Sequence, residues 1–513
     1  MAQIRIDNLS FSYEGSYDTV FEDVSFHLDT SWKLGLLGRN GKGKTTLLHL
    51  LMGKYEYSGA ILNDTPCDYF PYPVSEADLA RTTLELASSW KPEAELWQIQ
   101  TQLGLICMDP DCLSMPFGAL SPGERTRVML AVLFATENEF LLIDEPTNHL
   151  DTDAREAVKE YLSKKKGFIL VSHDRDLLDA VIDHVLVLNR ESIEVQAGTF
   201  SSWWENKEKN DAFAASENEK HLREIEKLKT AADRSSRWAK KSESSKIGFD
   251  PIKETDRNIS TRSYIGAKTK KMQSRVKSFE KRIDREIEEK EGLLRDIEKV
   301  TDLKLNPLLH QKEHLLTAHS LTIRYGEEEP LFEDLRFQLG RRERIVLSGK
   351  NGTGKSSLIK AILQKAGMLS EKNIETMKVS GELNLAPELI ISYLSQDTSF
   401  LSGSLTDFCR QRGLDRSLLL AILRQLDVGR DQFDKDISGF SEGQKKKVLL
   451  AASLLTPAHL YIWDEPLNYI DVFSRMQIEK LILAYQPSML VVEHDVRFQE
   501  RIATGIIHLP GGK

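Results

Sequence analysis

Two short stretches carry the residues best suited to phosphate chemistry. Gly38-Arg39-Asn40-Gly41-Lys42-Gly43-Lys44-Thr45-Thr46 and Gly349-Lys350-Asn351-Gly352-Thr353-Gly354-Lys355-Ser356-Ser357 both open on Gly-x-x-x-x-Gly-Lys-Thr/Ser. In such a P-loop the glycines let backbone N–H groups converge on phosphate oxygens at a helix N-terminus. Lys44 and Lys355 can neutralise β- and γ-phosphates, and the Thr45 and Ser356 hydroxyls suit a magnesium ion. Downstream, Asp144 and Asp464 close short apolar runs, where a carboxylate can hold magnesium through a water shell. Glu145 and Glu465 follow directly, placed to orient or deprotonate an attacking water. His173 and His494 each follow a further apolar run and can contact the γ-phosphate. Tyr13 and Tyr325, a little before the P-loops, can stack on adenine.

These residues come as a duplicated set. Ser121-Pro122-Gly123-Glu124 precedes a basic stretch and matches Ser441-Glu442-Gly443-Gln444. Leu142-Ile143-Asp144-Glu145-Pro146 matches Ile462-Trp463-Asp464-Glu465-Pro466, and Ser172-His173-Asp174 matches Glu493-His494-Asp495. All four motif pairs keep one order at offsets of 311 to 321 residues, so the chain is a tandem duplication. Positioning these groups takes strands that end at the carboxylates and helices that begin at the glycines. The runs 34–37, 140–143 and 168–171, with 345–347, 460–463 and 489–492, read as strands buried on both faces. Segments 4–9 and 24–28 alternate like half-exposed strands, and helical patterns follow at 45–51 and 125–135. The expected fold is α/β, with P-loop ATPase domains at 1–203 and 305–513.

The remaining segment, 204–304, is a charged insert. Leu222, Ile225 and Leu228, then Val276, Phe279, Ile283, Ile287, Leu294 and Ile297, keep a helical seam that predicts a hairpin of two packed helices. Turn-forming residues between 242 and 267 place its tip near 238–267. The whole chain of 513 residues has a net charge of −9, yet 221–282 holds 18 Lys and Arg against 8 Asp and Glu. A basic middle within an acidic protein points to a phosphate-dense partner. Trp238, Lys240, Lys241, Phe249, Tyr264 and Ile265 are the candidate tip contacts, basic groups among residues able to stack on unpaired bases.

Composition excludes other classes. At 40% hydrophobic and 29% charged the chain reads as globular, and no run of about 18 apolar residues offers a membrane span. The stretch Met1–Ile6 has no apolar signal core, so a cytoplasmic location is expected. Cys67, Cys107, Cys112 and Cys409 are too scattered for a disulfide framework. Cys107 and Cys112 could be half a metal site, but no second pair accompanies them, and all four read as inert thiols.

Taken together, these motifs resemble the ATP-binding cassette (ABC) ATPases: Ser121–Glu124 and Ser441–Gln444 look like their signature, and residues 144–151 and 464–471 like Walker B plus D-loop. Two cassettes, no membrane segment and a charged helical insert are similar to the ABC-F proteins that act on ribosomes. The stretches from Trp32 and from Tyr461 look most like the Lsa-type antibiotic-resistance branch. The resemblance implies two ATP molecules, with Mg2+, sandwiched within a monomer by intramolecular pairing of the cassettes. Lys44, Asp144, Glu145 and His173 would face Ser441, Gly443 and Gln444; Lys355, Asp464, Glu465 and His494 would face Ser121, Gly123 and Glu124. It implies that Gln396 contacts magnesium as the Q-loop glutamine, whereas the first copy has Tyr72 there. Because Glu145 and Glu465 are both present, hydrolysis is expected at both sites.

Three readings follow. The first is an ATPase that binds the 70S ribosome at the tRNA exit site, where the linker tip meets rRNA near the peptidyl-transferase centre. Hydrolysis would drive release, and the outcome would be protection from lincosamide, streptogramin A and pleuromutilin drugs, with tRNA as a neighbour. The second is a housekeeping ABC-F translation factor. The third is the fused ATPase subunit of a membrane importer, which the long basic insert argues against; no transmembrane partner is expected.

Overall fold

The computed structural model describes residues 3–13, 19–136, 139–147, 150, 152–188, 193–244, 270, 274, 277–279, 281–283, 285, 304–327, 329–349, 352–369, 377–426 and 428–509. Two units emerge from the packing: residues 1–203 with 301–513, and residues 204–300.

Within the first unit the same architecture is built twice. In each copy a three-stranded antiparallel sheet lies beside a mostly parallel one. The first antiparallel sheet runs in the order Thr19–Asp29, Gln3–Ser12, Ser58–Leu62, and the second Phe332–Gly340, His314–Tyr325, Met377–Leu385. Even the irregularities repeat: Asn8 and Asp23 take φ near 50°, as do Ser320 and Asp334.

The parallel sheets hold the chemistry. The order in the first copy is Cys67–Phe70, Phe140–Asp144, Phe168–Val171, Lys33–Leu37, His184–Leu188 and Ile193–Ala197, the last strand being antiparallel. The second copy runs Ile391–Leu394, Leu460–Asp464, Met489–Val492, Arg344–Ser348, Gly505–His508. The segments Phe168–Val171, Leu460–Asp464 and Met489–Val492 are buried at every position, because helices or the antiparallel sheet cover both faces. Cores such as Leu34, Leu47, Phe140 and Ile169 in the first copy fix the P-loop strand against its helix. At the strand ends, the glycine loops and carboxylates gather on one edge.

The second unit opens on a helix of 45 residues, Phe200–Ser244, which begins in the first unit. Helical residues recur among those described between 270 and 285. Ile225 and Ile283 are buried, whereas Leu222 and Phe279, also expected in the seam, are exposed. Among the described residues the buried stripe is therefore narrower than the apolar pattern. Val276, Ile287, Leu294 and Ile297 lie outside the described residues, as do the tip residues Phe249, Tyr264 and Ile265. Trp238, Lys240 and Lys241 fall in the last turns of the long helix. Among the described residues no helix is long and apolar enough to cross a membrane.

Candidate nucleotide sites

Each P-loop forms where a buried strand hands over to a helix, Lys33–Leu37 to Lys44–Leu51 and Arg344–Ser348 to Lys355–Lys365. Gly43 and Gly354 stand at the N-caps with φ of 87° and 94°, a region that side chains resist. A Cβ on Gly43 would also come 2.6 Å from Val20 Cγ1. Gly38, Arg39, Asn40, Gly41 and Lys42 make up the first loop, and Gly349, Gly352 and Thr353 the described part of the second. Lys350 and Asn351 lie outside the described residues. Lys44 Nζ donates to Gly38 O at 2.7 Å and Arg39 O at 3.2 Å, and Lys355 Nζ to Gly349 O at 2.5 Å, so each ammonium group is held against its own cradle. The tyrosines are tied to the same helices, Tyr13 by its hydroxyl to Thr46 Oγ1 at 2.7 Å and Tyr325 to Ser357 Oγ at 3.0 Å.

Asp144 and Asp464 end their strands as the apolar runs predicted. The next residues, Glu145 and Glu465, have φ of 51° and 49°. A left-handed non-glycine residue costs about 1–3 kcal/mol and persists only where its surroundings fix it. Here their N–H groups donate to Val171 O and Val492 O, both at 2.9 Å, and the turn throws the carboxylates out of the strand line. His173 Nε2 stands 3.3 Å from Glu145 Oε1, and His494 Nε2 3.8 Å from Glu465 Oε1. Burial keeps His173 neutral, reinforced by Lys44 and by Arg475 and Lys447 of the second copy. Burial and the adjacent Asp144 push the Glu145 carboxyl up to about 8. Burial likewise raises Asp464 to about 6, with Glu465 adding to it.

The residues that differ between copies also differ in contact. Gln396 Nε2 donates to Glu465 Oε2 at 2.7 Å. Tyr72, its counterpart, instead donates to Asp68 Oδ2 at 2.7 Å, while Tyr69 OH reaches Asp144 Oδ2 at 3.2 Å.

Both copies contribute to one cavity. A space of about 480 Å³ is lined by Tyr325, Lys355, Ser356, Gln396, Glu465 and His494 of the second copy and by Pro122, Leu150 and Arg155 of the first. Pro122 opens the helix Pro122–Leu133, which Ser121 caps by accepting from Glu124 N while Glu124 reaches back to Ser121 N. Gly123 keeps a virtual Cβ 3.5 Å from Leu150. The matching helix Glu442–Leu455 is capped in the same way by Ser441 and Gln444. Gly443 lies against Tyr469, which a Cβ there would approach to 3.0 Å. At the first P-loop, Asn40 Nδ2 donates across the copies to Tyr469 O at 2.8 Å.

Residues 21–148 and 332–468 match the family described as ABC transporter, one match per copy and just over half of the chain together. The chain belongs to that family. It is an ATPase of that family, with one cassette in each half. Among its relatives is the ribosome protection protein VmlR of Bacillus subtilis (strain 168), 27% identical over 495 residues, covering 96% of this chain and 84% of that protein. ABC transporter F family member 2 of Arabidopsis thaliana is 25% identical, covering 99% of this chain and 75% of that protein. In fold the chain resembles the archaeal ribosome recycling factor aABCE1, solved in complex with stalk protein aP1, with a TM-score of 0.61 at 18% identity over 98% of this chain and 88% of that one.

Several groups around these ABC sites escaped the motif reading. Asn468 Nδ2 donates to Glu465 Oε2 at 2.7 Å; its place in the Walker B extension was the available signal. Lys446, 2% exposed, donates to Ser395 O and Asp464 O at 2.9 Å each, and burial lowers its ammonium to about 8. Between the cassettes, Arg175 forks onto Glu479, which also accepts from Arg501 at 3.0 Å, and Arg497 pairs with Asp176 at 2.6 Å and Asp179 at 2.7 Å.

Proposed function

We propose that the chain is a ribosome-binding ATPase that protects translation from peptidyl-transferase-centre drugs. The observation that carries this reading is the surplus of basic residues at 221–282, set between two cassettes of an otherwise acidic protein. Such a segment suits an RNA channel, where binding is dominated by phosphate contacts and stacked bases. VmlR, whose name records ribosome protection, aligns over nearly the whole chain, linker included, which supports the same conclusion.

ATP is the substrate and the adhesive. Lys355 neutralises its phosphates at the second site, Tyr325 takes the base, and the helix starting at Pro122 closes over it from the other cassette. Bound ATP thus favours the paired cassettes, and its hydrolysis removes that bias. A magnesium ion fits the oxygens present: Thr45 Oγ1 and Asp144 Oδ2 lie 2.8 Å apart, and Asp464 Oδ1 is buried with no hydrogen-bond partner among the described residues. Thr45 and Asp144 would hold one ion at the first site and Ser356 and Asp464 one at the second, where each would offset charge on the transferring phosphoryl group. Glu465 takes the proton of the attacking water, and His494 borders the γ-phosphate position.

In the paired form the linker tip reaches from the exit site toward the peptidyl-transferase centre beside tRNA, in a cytoplasmic ribosome. Cell-free translation challenged with a lincosamide, a pleuromutilin or a streptogramin A tests this. Added wild-type protein should restore synthesis, and a variant with residues 245–267 replaced by a short Gly-Ser loop should not. Equal restoration by that variant would overturn the role of the tip, and no restoration by wild type would favour a housekeeping translation factor.

A further inference from the structure

The two sites repeat the same motifs but not the same hydrogen bonds from the position of the glutamine. At the second site Glu465 Oε2 accepts from both Gln396 Nε2 and Asn468 Nδ2, each at 2.7 Å. Two amide dipoles converge on one oxygen and fix the carboxylate, leaving Oε1 facing His494. At the first site the glutamine position is Tyr72, two residues beyond the strand Cys67–Phe70, as Gln396 is two beyond Ile391–Leu394.

Tyr72 does not take over that task. Its hydroxyl donates to Asp68 Oδ2, its ring stacks on Trp90 at 5.0 Å and 8°, and the residue is 9% exposed. Asp68 is itself held 3.1 Å from Lys91, a lysine 2% exposed that also pairs with Glu139 at 2.6 Å. Packing and charge therefore lock Tyr72 away from Glu145. The neighbouring Tyr69 binds Asp144 Oδ2, an oxygen that already accepts from Thr45 Oγ1. So at the first site Tyr69 adds a donor to Asp144 and Glu145 lacks the glutamine donor, whereas at the second site the glutamine goes to Glu465.

We propose that the two ATP sites are kinetically unequal: Gln396 positions Glu465 for turnover at the second site, while Tyr72, locked on Asp68, denies Glu145 that support, so that the first site retains its ATP. In the step concerned, a water proton passes to the Glu465 carboxylate and the water oxygen bonds to the γ-phosphorus. The β–γ bridging P–O bond breaks, its electron pair leaving with ADP. Gln396 is a positioning residue, acting through Glu465. The claim rests on the ATPase assignment alone, so it stands or falls apart from the ribosomal reading.

The test uses the full chain without ribosomes, with α-labelled ATP and magnesium. After many turnovers the protein is rapidly desalted and its retained nucleotide resolved by chromatography. Wild type should carry close to one unhydrolysed ATP per chain. Glu465→Gln should lose at least roughly tenfold more turnover than Glu145→Gln. Gln396→Ala should lower kcat roughly tenfold with KM for ATP held within about twofold, where a merely loosened fold would raise KM. Equal losses in the two glutamate variants, or retained nucleotide that is all ADP, would overturn the proposal.

Discussion

Glu145 is a buried carboxyl whose proton affinity is set by its surroundings. Burial and Asp144 raise it to about 8, with Arg475 and Lys44 pulling the other way. Between about pH 4.5 and about pH 8 the folded protein therefore holds a proton that the unfolded chain has lost. Stability must then fall as pH rises through that window, because the unfolded state binds fewer protons. A neutral amide escapes this loss. In nucleotide-free, chelator-treated protein, Glu145→Gln should raise Tm relative to wild type by a margin that grows from about pH 5 to about pH 8 and then levels off. Scanning calorimetry across that range checks it, and a margin that does not change with pH would refute the assignment.

At the scale of elements, the cassettes are joined by ions as well as by the nucleotide sites. Glu479 is fully buried on the helix Val472–Tyr485, and Arg175, 3% exposed, begins the helix Arg175–Val181 of the other cassette. Removing one partner of such a pair leaves a buried charge uncompensated, at about 3–5 kcal/mol, whereas replacing both with apolar groups is often neutral. Glu479→Gln should thus cost several-fold more unfolding free energy in urea than the double variant Arg175→Met with Glu479→Met. Equal costs would show that the pair is packing rather than electrostatics.

This contact also marks where the sequence stopped being legible. Strand ends, cap glycines and carboxylates could be read locally, since each sits at a fixed offset from a P-loop or an apolar run. Arg175 and Glu479 lie 304 residues apart, and no periodicity links them. Comparing the copies would have helped: Val496 and Lys159 occupy their counterpart positions, so the pair exists on one side only. Tyr72 was visible as a departure, but its lock on Asp68 and Trp90 depends on packing that a motif does not record. Within the described part of the linker, apolar spacing does not tell a buried Ile225 from an exposed Leu222.

For the whole molecule, the proposed function makes ATP the link between cassette pairing and ribosome binding. Both cassettes line the second-site cavity, so a nucleotide that stays there should hold them together. A closed form that cannot hydrolyse should accumulate on its target. The direct measurement is co-sedimentation of the Glu145→Gln, Glu465→Gln double variant with ribosomes in ATP, beside wild type in ADP. Hydrolysis should fall roughly 10²- to 10⁴-fold, and most of the variant should pellet with ribosomes while wild type in ADP stays in the supernatant. A double variant that pellets no better in ATP than wild type does in ADP would contradict the switch.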